Sequence, residues 1–399
     1  LKQRGEKMHK ERRGLNSTSL IRSYNIVSVL QTIYREGTCS RARLTEVTKM
    51  SPSTVTRIVS ELLTQGIITE HGIGESNGGR KPVFLKLCFE KLYIIGIQIR
   101  RDQVALGVSD LKGSLMSKRS YSPYSLEPNA LIKELVQEFE DLLTNSMVKK
   151  EHILGIGVAI SGIVESEQGI LLQSVNLGWR EIKIAEILEH ELDFPVVVEN
   201  DANAAALAEL WFGAAKDVSN FLYLKTSTGV GAGIIYNRKL LTGPQGMAGE
   251  IGHIPLKKNG YQCRCGQKGC LETYLYLPDV IKRYQAETGK KVSNCFDLYA
   301  RACAGDPVAT LLLEESVDAL SIAVSFSGGI LDLDMVVISG VWASFKELLI
   351  ERLQTDFRAI LERCGLKKSF SVISSTLGED SDLLGAVGLV THKWFTPPI

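Results

Sequence analysis

Residues 250–272 read EIGHIPLKKNGYQCRCGQKGCLE, with three cysteines inside eight positions and a histidine ten residues before the first of them. The spacing His253-x9-Cys263-x-Cys265-x4-Cys270 offers one imidazole nitrogen and three thiols, a soft four-ligand set that suits Zn²⁺. Four protein ligands leave no position open for water, so the pattern predicts a structural zinc and not a catalytic one. Reduced cysteines on an ordinary loop are the alternative. Glu250 stands three residues before the first ligand and Glu272 two after the last. A metal that pins both ends of this loop would hold both carboxylates in place.

The remaining cysteines, Cys39, Cys88, Cys295, Cys303 and Cys364, are scattered and form no disulfide-like framework, as expected of a cytoplasmic protein. With 399 residues, 44% hydrophobic and 23% charged, the chain has the composition of a soluble globular protein of two or three domains. No apolar run approaches the ~18 residues of a membrane span, and the first twenty residues lack the apolar segment of a signal peptide.

The net charge of +1 conceals an asymmetry. Residues 1–90 hold 15 of the 46 Lys and Arg and 8 of the 45 Asp and Glu, a net of +7 that leaves −6 on the rest. A basic head on an acidic body points to a polyanionic partner for the head. Residues 21–35 place Ile26, Val27, Leu30, Ile33 and Tyr34 on one helical face. Ser40 can cap a short second helix with Leu44 and Val47 inward, and Ser51-Pro52 reads as the cap and first residue of a third. That third helix buries Val55, Ile58, Val59, Leu62 and Leu63 and presents Ser53, Thr54, Thr56, Arg57 and Ser60 on its other face. Short polar side chains beside an arginine at a helix N-terminus suit a recognition helix in a major groove. The following strand, Gly-rich turn and strand read as a wing, with Arg80 and Lys81 in its basic tip GGRKP (78–82). A flexible basic arm (1–20) would add phosphate contacts. The reading is a winged helix-turn-helix over 21–88 that binds operator DNA; a small helical dimerisation bundle is the alternative.

From residue 91 apolar strands alternate with helical patterns, which argues for α/β sheets covered by helices, a pattern open to two such lobes. Four stretches together, ENDANAAALAE (199–209), STGVGAGII (227–235), GEIGH (249–253) and CRCGQKGCLE (263–272), resemble the ROK family, named for repressors, open reading frames and kinases. The stretch SGIVESEQGILLQSVNLGWREIKIAEILEHEL (161–192) is similar to its xylose-repressor branch. The resemblance implies a two-lobed, actin-like ATPase fold of ribonuclease-H-like lobes, usually dimeric or tetrameric. The first lobe would span 91–200, with a C-terminal helix of about 380–396 packing back on it, and the second 201–379. By position it makes Asn200, Asp201, Glu250, His253 and Glu272 sugar contacts, with Asn176 a further one, and gives Asp201 the role of base in kinases. A helix N-cap is the structural alternative for Asp201.

The family's kinases carry D-x-G-G-T in the first strand–turn–strand of the body, where the carboxylate supports a metal ion and the glycines admit phosphate. Here Gln98 replaces the Asp, and Arg100 and Arg101 stand where glycines would be. The second turn keeps Thr228, Gly229 and Gly231, and Gly340 survives beside Trp342. A kept sugar half and a damaged nucleotide half lead us to expect a sugar-responsive repressor of carbohydrate-utilisation genes, with structural Zn²⁺ and without ATP/Mg²⁺. The rivals are an ATP-dependent hexose kinase with an appended DNA-binding head, and a sugar-phosphate sensor using Arg100 and Arg101. Residues 86–92 are the expected hinge between head and body.

Overall fold

A computed structural model of the chain describes residues 17–73, 82–227, 229–345, 349–363 and 370–396. The head opens with three helices, α1 (Ser17–Glu36), α2 (Arg41–Thr48) and α3 (Pro52–Thr64). Their starts follow from local chemistry: Ser40 Oγ accepts from Arg43 N, Ser51 Oγ accepts from Thr54 N, and Pro52 supplies the helical φ at the first position of α3. Ile26, Val29, Leu30, Ile33, Leu44, Val55, Ile58, Val59 and Leu62 make the core between them. Val47, expected inward, is instead 43% exposed, because so short a helix meets its neighbours mainly through Leu44. The short β1 (Cys39–Ser40), β2 (Ile68–Ile73) and β3 (Val83–Leu87) form an antiparallel sheet in the order β1-β3-β2. Arg80 and Lys81, expected at the wing tip, lie outside the described residues.

The chain divides into two compact units, one of residues 1–160, 167–199 and 386–399, the other of residues 161–166 and 200–385. In the first, β4 (Tyr93–Ile99), β5 (Val104–Asp110) and β6 (Leu115–Tyr121) run antiparallel, and α4 (Pro128–Ser146) leads to β7 (Ile153–Ile160), which pairs parallel with β4. After β8 (Ile163–Glu165), β9 (Ile170–Ser174), β10 (Trp179–Ile182) and α5 (Ile184–Leu192), β11 (Val196–Asn200) completes a sheet of order β11-β7-β4-β5-β6.

The second unit repeats this plan. Helix α6 (Asp201–Trp211) precedes β12 (Phe221–Thr226), β13 (Val230–Tyr236) and β14 (Lys239–Leu241), an antiparallel run. Four helices follow, α7 (Leu271–Leu275), α8 (Leu277–Thr288), α9 (Cys295–Cys303) and α10 (Pro307–Leu331). Strand β15 (Met335–Gly340) then pairs parallel with β12, and after α11 (Glu351–Arg363), β16 (Ser371–Ser374) pairs parallel with β15. The order β14-β13-β12-β15-β16 matches that of the first sheet, three antiparallel strands extended by two parallel ones. Two copies of this ribonuclease-H-like topology, behind a winged helix-turn-helix, are the expected actin-like sugar-kinase architecture. Helix α12 (Ser381–Phe395) ends the described chain.

The alanines of α6 have a packing reason. The helix lies so close to β13 that a Cβ on Gly233 would sit 2.5 Å from Ala206 Cβ and 2.6 Å from Ala202 O, and every residue from Asp201 to Leu210 is buried. Among the described residues no helix is long and apolar enough to cross a membrane.

Candidate functional site

The second unit gathers most of the predicted site. The loop after β14 ends in a short 3₁₀ turn, Ile251–His253, with Glu250 at its start. Hydrogen bonds from Leu256 N to Gly269 O (2.8 Å) and from Cys263 N to Gln267 O (2.8 Å) fold the loop back on itself. Its turns place Gly266 and Gly269 in the left-handed region. This brings His253, Cys263, Cys265 and Cys270 together, with all four ligand atoms within 4.8 Å of one another. Cys265 and Cys270 Sγ are 3.7 Å apart, and Cys263 Sγ is 3.8 Å from His253 Nδ1. A tetrahedron with Zn–S bonds of about 2.3 Å has sulfur–sulfur edges of about 3.8 Å. The donor set and its dimensions therefore fit a metal ion held by four protein ligands. Nδ1 is the imidazole atom beside the thiols, so Nε2 remains for a different partner.

The same loop fixes the two acids. Cys270 is the cap residue of α7, and Glu272 lies in that helix's first turn. Glu272 Oε2 accepts from Val230 N and Oε1 from Arg264 Nη2, both at 3.2 Å. Burial raises the Glu250 carboxyl above the usual range; His253 opposes this, and the Asp201 and Glu272 carboxylates add to it. Glu250 thus lies within the fields of His253, Asp201 and Glu272.

Asp201 opens α6, and the cap itself is Asn200, not Asp201. Asn200 Oδ1 accepts from Ala202 N (2.8 Å) and Asn203 N (3.3 Å), while its Nδ2 donates to Gly162 O (2.9 Å). Two further residues were missed by sequence reasoning. Lys225 Nζ lies 2.8 Å from Asp201 Oδ2 and 2.6 Å from Asp382 Oδ2, and all three side chains are buried. Burial works against the ammonium, but the two carboxylates outweigh it and raise Lys225 above the ordinary lysine range. A signal was present: Lys225 is the lone charge in FLYLKT, an otherwise apolar strand. Arg264, between the first two cysteines, is the third residue missed; its guanidinium also lies 4.4 Å from the Tyr276 ring centroid.

The nucleotide-type residues fall in both units. In the first, Gln98 is buried within β4. Arg100 forms a two-pronged pair with Asp102 (2.9 and 3.1 Å), a hydrogen bond that holds the Asp102 carboxyl below its usual range. Arg101 donates to Asn176 O at 3.1 Å, so a predicted sugar contact and a predicted nucleotide-turn residue meet there. In the second unit Thr228 lies outside the described residues. Gly229 approaches Glu272, since a Cβ there would be 3.1 Å from Oε2, and Gly231 faces Ala202. Gly340 has φ +81, and a Cβ there would meet Thr226 O at 2.3 Å, so its identity is explained by strand packing. Trp342 is fully buried and donates to Leu275 O at 2.7 Å, a core role.

On the recognition helix Ser53, Thr56 and Arg57 are exposed. Thr54 is half-buried, its hydroxyl 2.9 Å from Ser51 Oγ.

Fold and site thus define a DNA-binding head joined to a body of sugar-kinase type. The winged helix-turn-helix DNA-binding family matches residues 22–69, and the ROK family matches residues 94–393. The chain belongs to the ROK family. It is 30% identical over 402 residues to a xylose repressor of Caldicellulosiruptor bescii, covering 96% of this chain and 99% of that one. It is 29% identical over 317 residues to a glucokinase of Halalkalibacterium halodurans, covering 75% and 96%. Among solved structures, a ROK family transcriptional regulator homologous to the Escherichia coli MLC protein aligns over 94% of this chain and 97% of its own, with a TM-score of 0.83 and 24% identity.

Proposed function

We propose that this chain is a sugar-responsive DNA-binding repressor of carbohydrate-utilisation genes, acting in the cytoplasm, with its effector bound at Asp201, Glu250, His253 and Glu272. Asn176 and Asn200 are proposed as further contacts. One observation carries the reading. The second unit clusters three carboxylates and an imidazole at a four-ligand metal loop, while the turn at 98–102 offers an amide and two arginines already bonded to the protein. Sugars need such planar acceptors beside adjacent hydroxyls, and phosphoryl transfer needs a carboxylate at position 98 and glycines after it, where this chain has Gln98, Arg100 and Arg101.

The metal is proposed to be zinc in an organising role. It would hold His253 Nδ1, leave Nε2 for a hydroxyl, and fix Glu250 and Glu272 from both ends of the loop. The repressor is proposed to act as a homodimer or tetramer on a two-fold symmetric operator. An exposed apolar stripe on α10, Ile322, Phe326 and Ile330, supports a second copy. Xylose leads the candidate effectors because xylose repressors are similar over nearly the whole chain.

Residual hexose kinase activity is the second reading, favoured by the similarity to a glucokinase. The engagement of Arg100 by Asp102 and of Arg101 by Asn176 O argues against a sugar-phosphate sensor. The deciding experiment measures operator binding by fluorescence anisotropy against xylose, glucose and N-acetylglucosamine, and in parallel incubates the protein with each sugar, ATP and Mg²⁺. A sugar-dependent change in operator affinity without turnover is the expected result. Turnover at ~1 s⁻¹ or more would replace the repressor reading with the kinase one.

A further inference from the structure

Lys225 is the only charged residue of β12, a strand whose six residues are all buried. Its ammonium joins two carboxylates from separate elements: Asp201, the first residue of α6, at 2.8 Å, and Asp382, in the first turn of α12, at 2.6 Å. A tether between α12 and the sheet needs only Asp382. The ammonium also reaches Asp201, whose neighbour Ala202 packs against Gly231, next to the Val230 amide that donates to Glu272.

We propose that Lys225 is a positioning residue of the sugar site: braced by Asp382, its ammonium takes one oxygen of Asp201 and fixes the other as a hydrogen-bond acceptor for a sugar hydroxyl. The inference rests on the sugar-sensor reading above. Its physical basis is charge balance. Two buried carboxylates that share one cation can stay ionised and immobile; without the cation they repel each other and lose their common anchor. Oδ2 of Asp201 is held by the ammonium, and Oδ1 is the oxygen that a hydroxyl would use. A side chain locked from behind in this way loses little freedom when ligand arrives.

The test is titration calorimetry on the full chain with xylose, glucose and N-acetylglucosamine, with the melting temperature of each variant as a folding control. For whichever sugar the wild type binds, Lys225→Met is expected to weaken affinity at least tenfold. The double variant Lys225→Met/Asp382→Asn removes the second carboxylate and with it the repulsion on Asp201. It is expected to recover to within threefold of wild type. Asp382→Asn alone keeps the Lys225–Asp201 pair and an amide oxygen that can accept from the ammonium, and is expected to lose less affinity than Lys225→Met.

A folded Lys225→Met variant with wild-type affinity overturns the proposal. So does a folded double variant that binds no better than Lys225→Met, since neutralising Asp382 should remove the repulsion that displaces Asp201. Should Lys225→Met fail to fold, the double variant carries the test, and a tenfold or greater loss there refutes it. A wild type that binds none of the three sugars defeats the sensor reading and this inference together, and that failure shows before any variant is made.

Discussion

Tyr34, near the end of the first helix of the DNA-binding head, packs on Phe395, the last residue of α12, with ring centroids 4.8 Å apart. The Tyr34 hydroxyl donates to Leu111 O at 3.2 Å, in the turn that joins β5 to β6, and Gln31 donates to Phe395 O. Phe89, in the 3₁₀ turn Phe89–Lys91 of the connection, sits at 6.5 Å from the Tyr34 ring and beneath Lys112 Nζ at 4.5 Å. The head therefore rests on its neighbouring lobe through one aromatic cluster and not through a bare linker.

If that cluster carries the sugar signal to the head, Tyr34→Ala should leave sugar affinity unchanged and reduce the effect of sugar on operator affinity. A coupling of about 1–3 kcal/mol is normal for such systems, and the variant should lose most of it. Tyr34→Phe keeps the ring contact, loses the hydrogen bond to Leu111 O, and should fall between the two. Operator titrations with and without saturating sugar measure this. A Tyr34→Ala protein with wild-type coupling would show that the signal travels elsewhere.

Arg57 projects from the exposed face of α3, in the second turn after the Ser51 cap. An arginine there can reach a guanine edge or a phosphate. Arg57→Ala should weaken operator binding by about 1–3 kcal/mol, roughly five- to 150-fold, and leave sugar binding and melting temperature as they are. Loss of sugar binding as well would mean that the substitution damages the fold. The salt dependence of binding separates the two kinds of partner. If Arg57 neutralises a phosphate, the variant's salt slope is lower by about one; if it reads a base edge, the variant's sequence preference relaxes.

The parts of this molecule that were legible in its sequence are those set by neighbouring residues. The caps at Ser40 and Ser51, with Pro52 behind, depend on side chains within three positions of the backbone they satisfy. The metal ligands lie within eighteen positions, on a loop whose spacing restricts how they can meet. Register within a face was less secure: Val29 fills the place in the head core expected for Val27, because two adjacent positions of a helix compete for one contact. Least legible were contacts that tertiary structure alone creates. Lys225 and Asp382 are 157 residues apart. Asn200 took the cap that was the alternative role for Asp201, and the aspartate pairs with Lys225 instead.

Cys265 is the exposed member of the metal cluster, so its replacement disturbs little packing. If the cluster holds one zinc per chain, Cys265→Ser should reduce it to well under half an equivalent, read by atomic absorption. If the metal orders Glu250 and Glu272, sugar affinity should drop with it by about 10–100-fold, the usual consequence of losing a supporting shell. Chelation of the wild type should reproduce both effects, and zinc added back should reverse them. Unchanged sugar affinity in the metal-free variant would confine the metal to a purely local structural role.

The outer face of α10 carries Ile322, Phe326 and Ile330, spaced by four residues and 54%, 59% and 66% exposed. They form an apolar ridge about 12 Å long, at the helical rise of about 1.5 Å per residue. Gly329 beside them carries no side chain and has open space where a Cβ would stand, which leaves a notch beside the ridge. Ser321 and Asp318, turn by turn along the helix, are instead bonded to Asp356 and Arg352 of α11, which sets a polar margin on the ridge. A ridge with a notch can meet its own two-fold copy, whereas a ridge alone in water costs about 25 cal/mol for each Å² exposed. If this face is the contact between copies, Phe326→Glu should convert the assembly to monomer in sedimentation velocity, because it puts a charge into an apolar contact. Operator affinity should fall with it, since one head then binds one half-site, while sugar affinity per chain stays within a factor of about two. A Phe326→Glu protein that sediments like wild type would remove this face as the contact between copies.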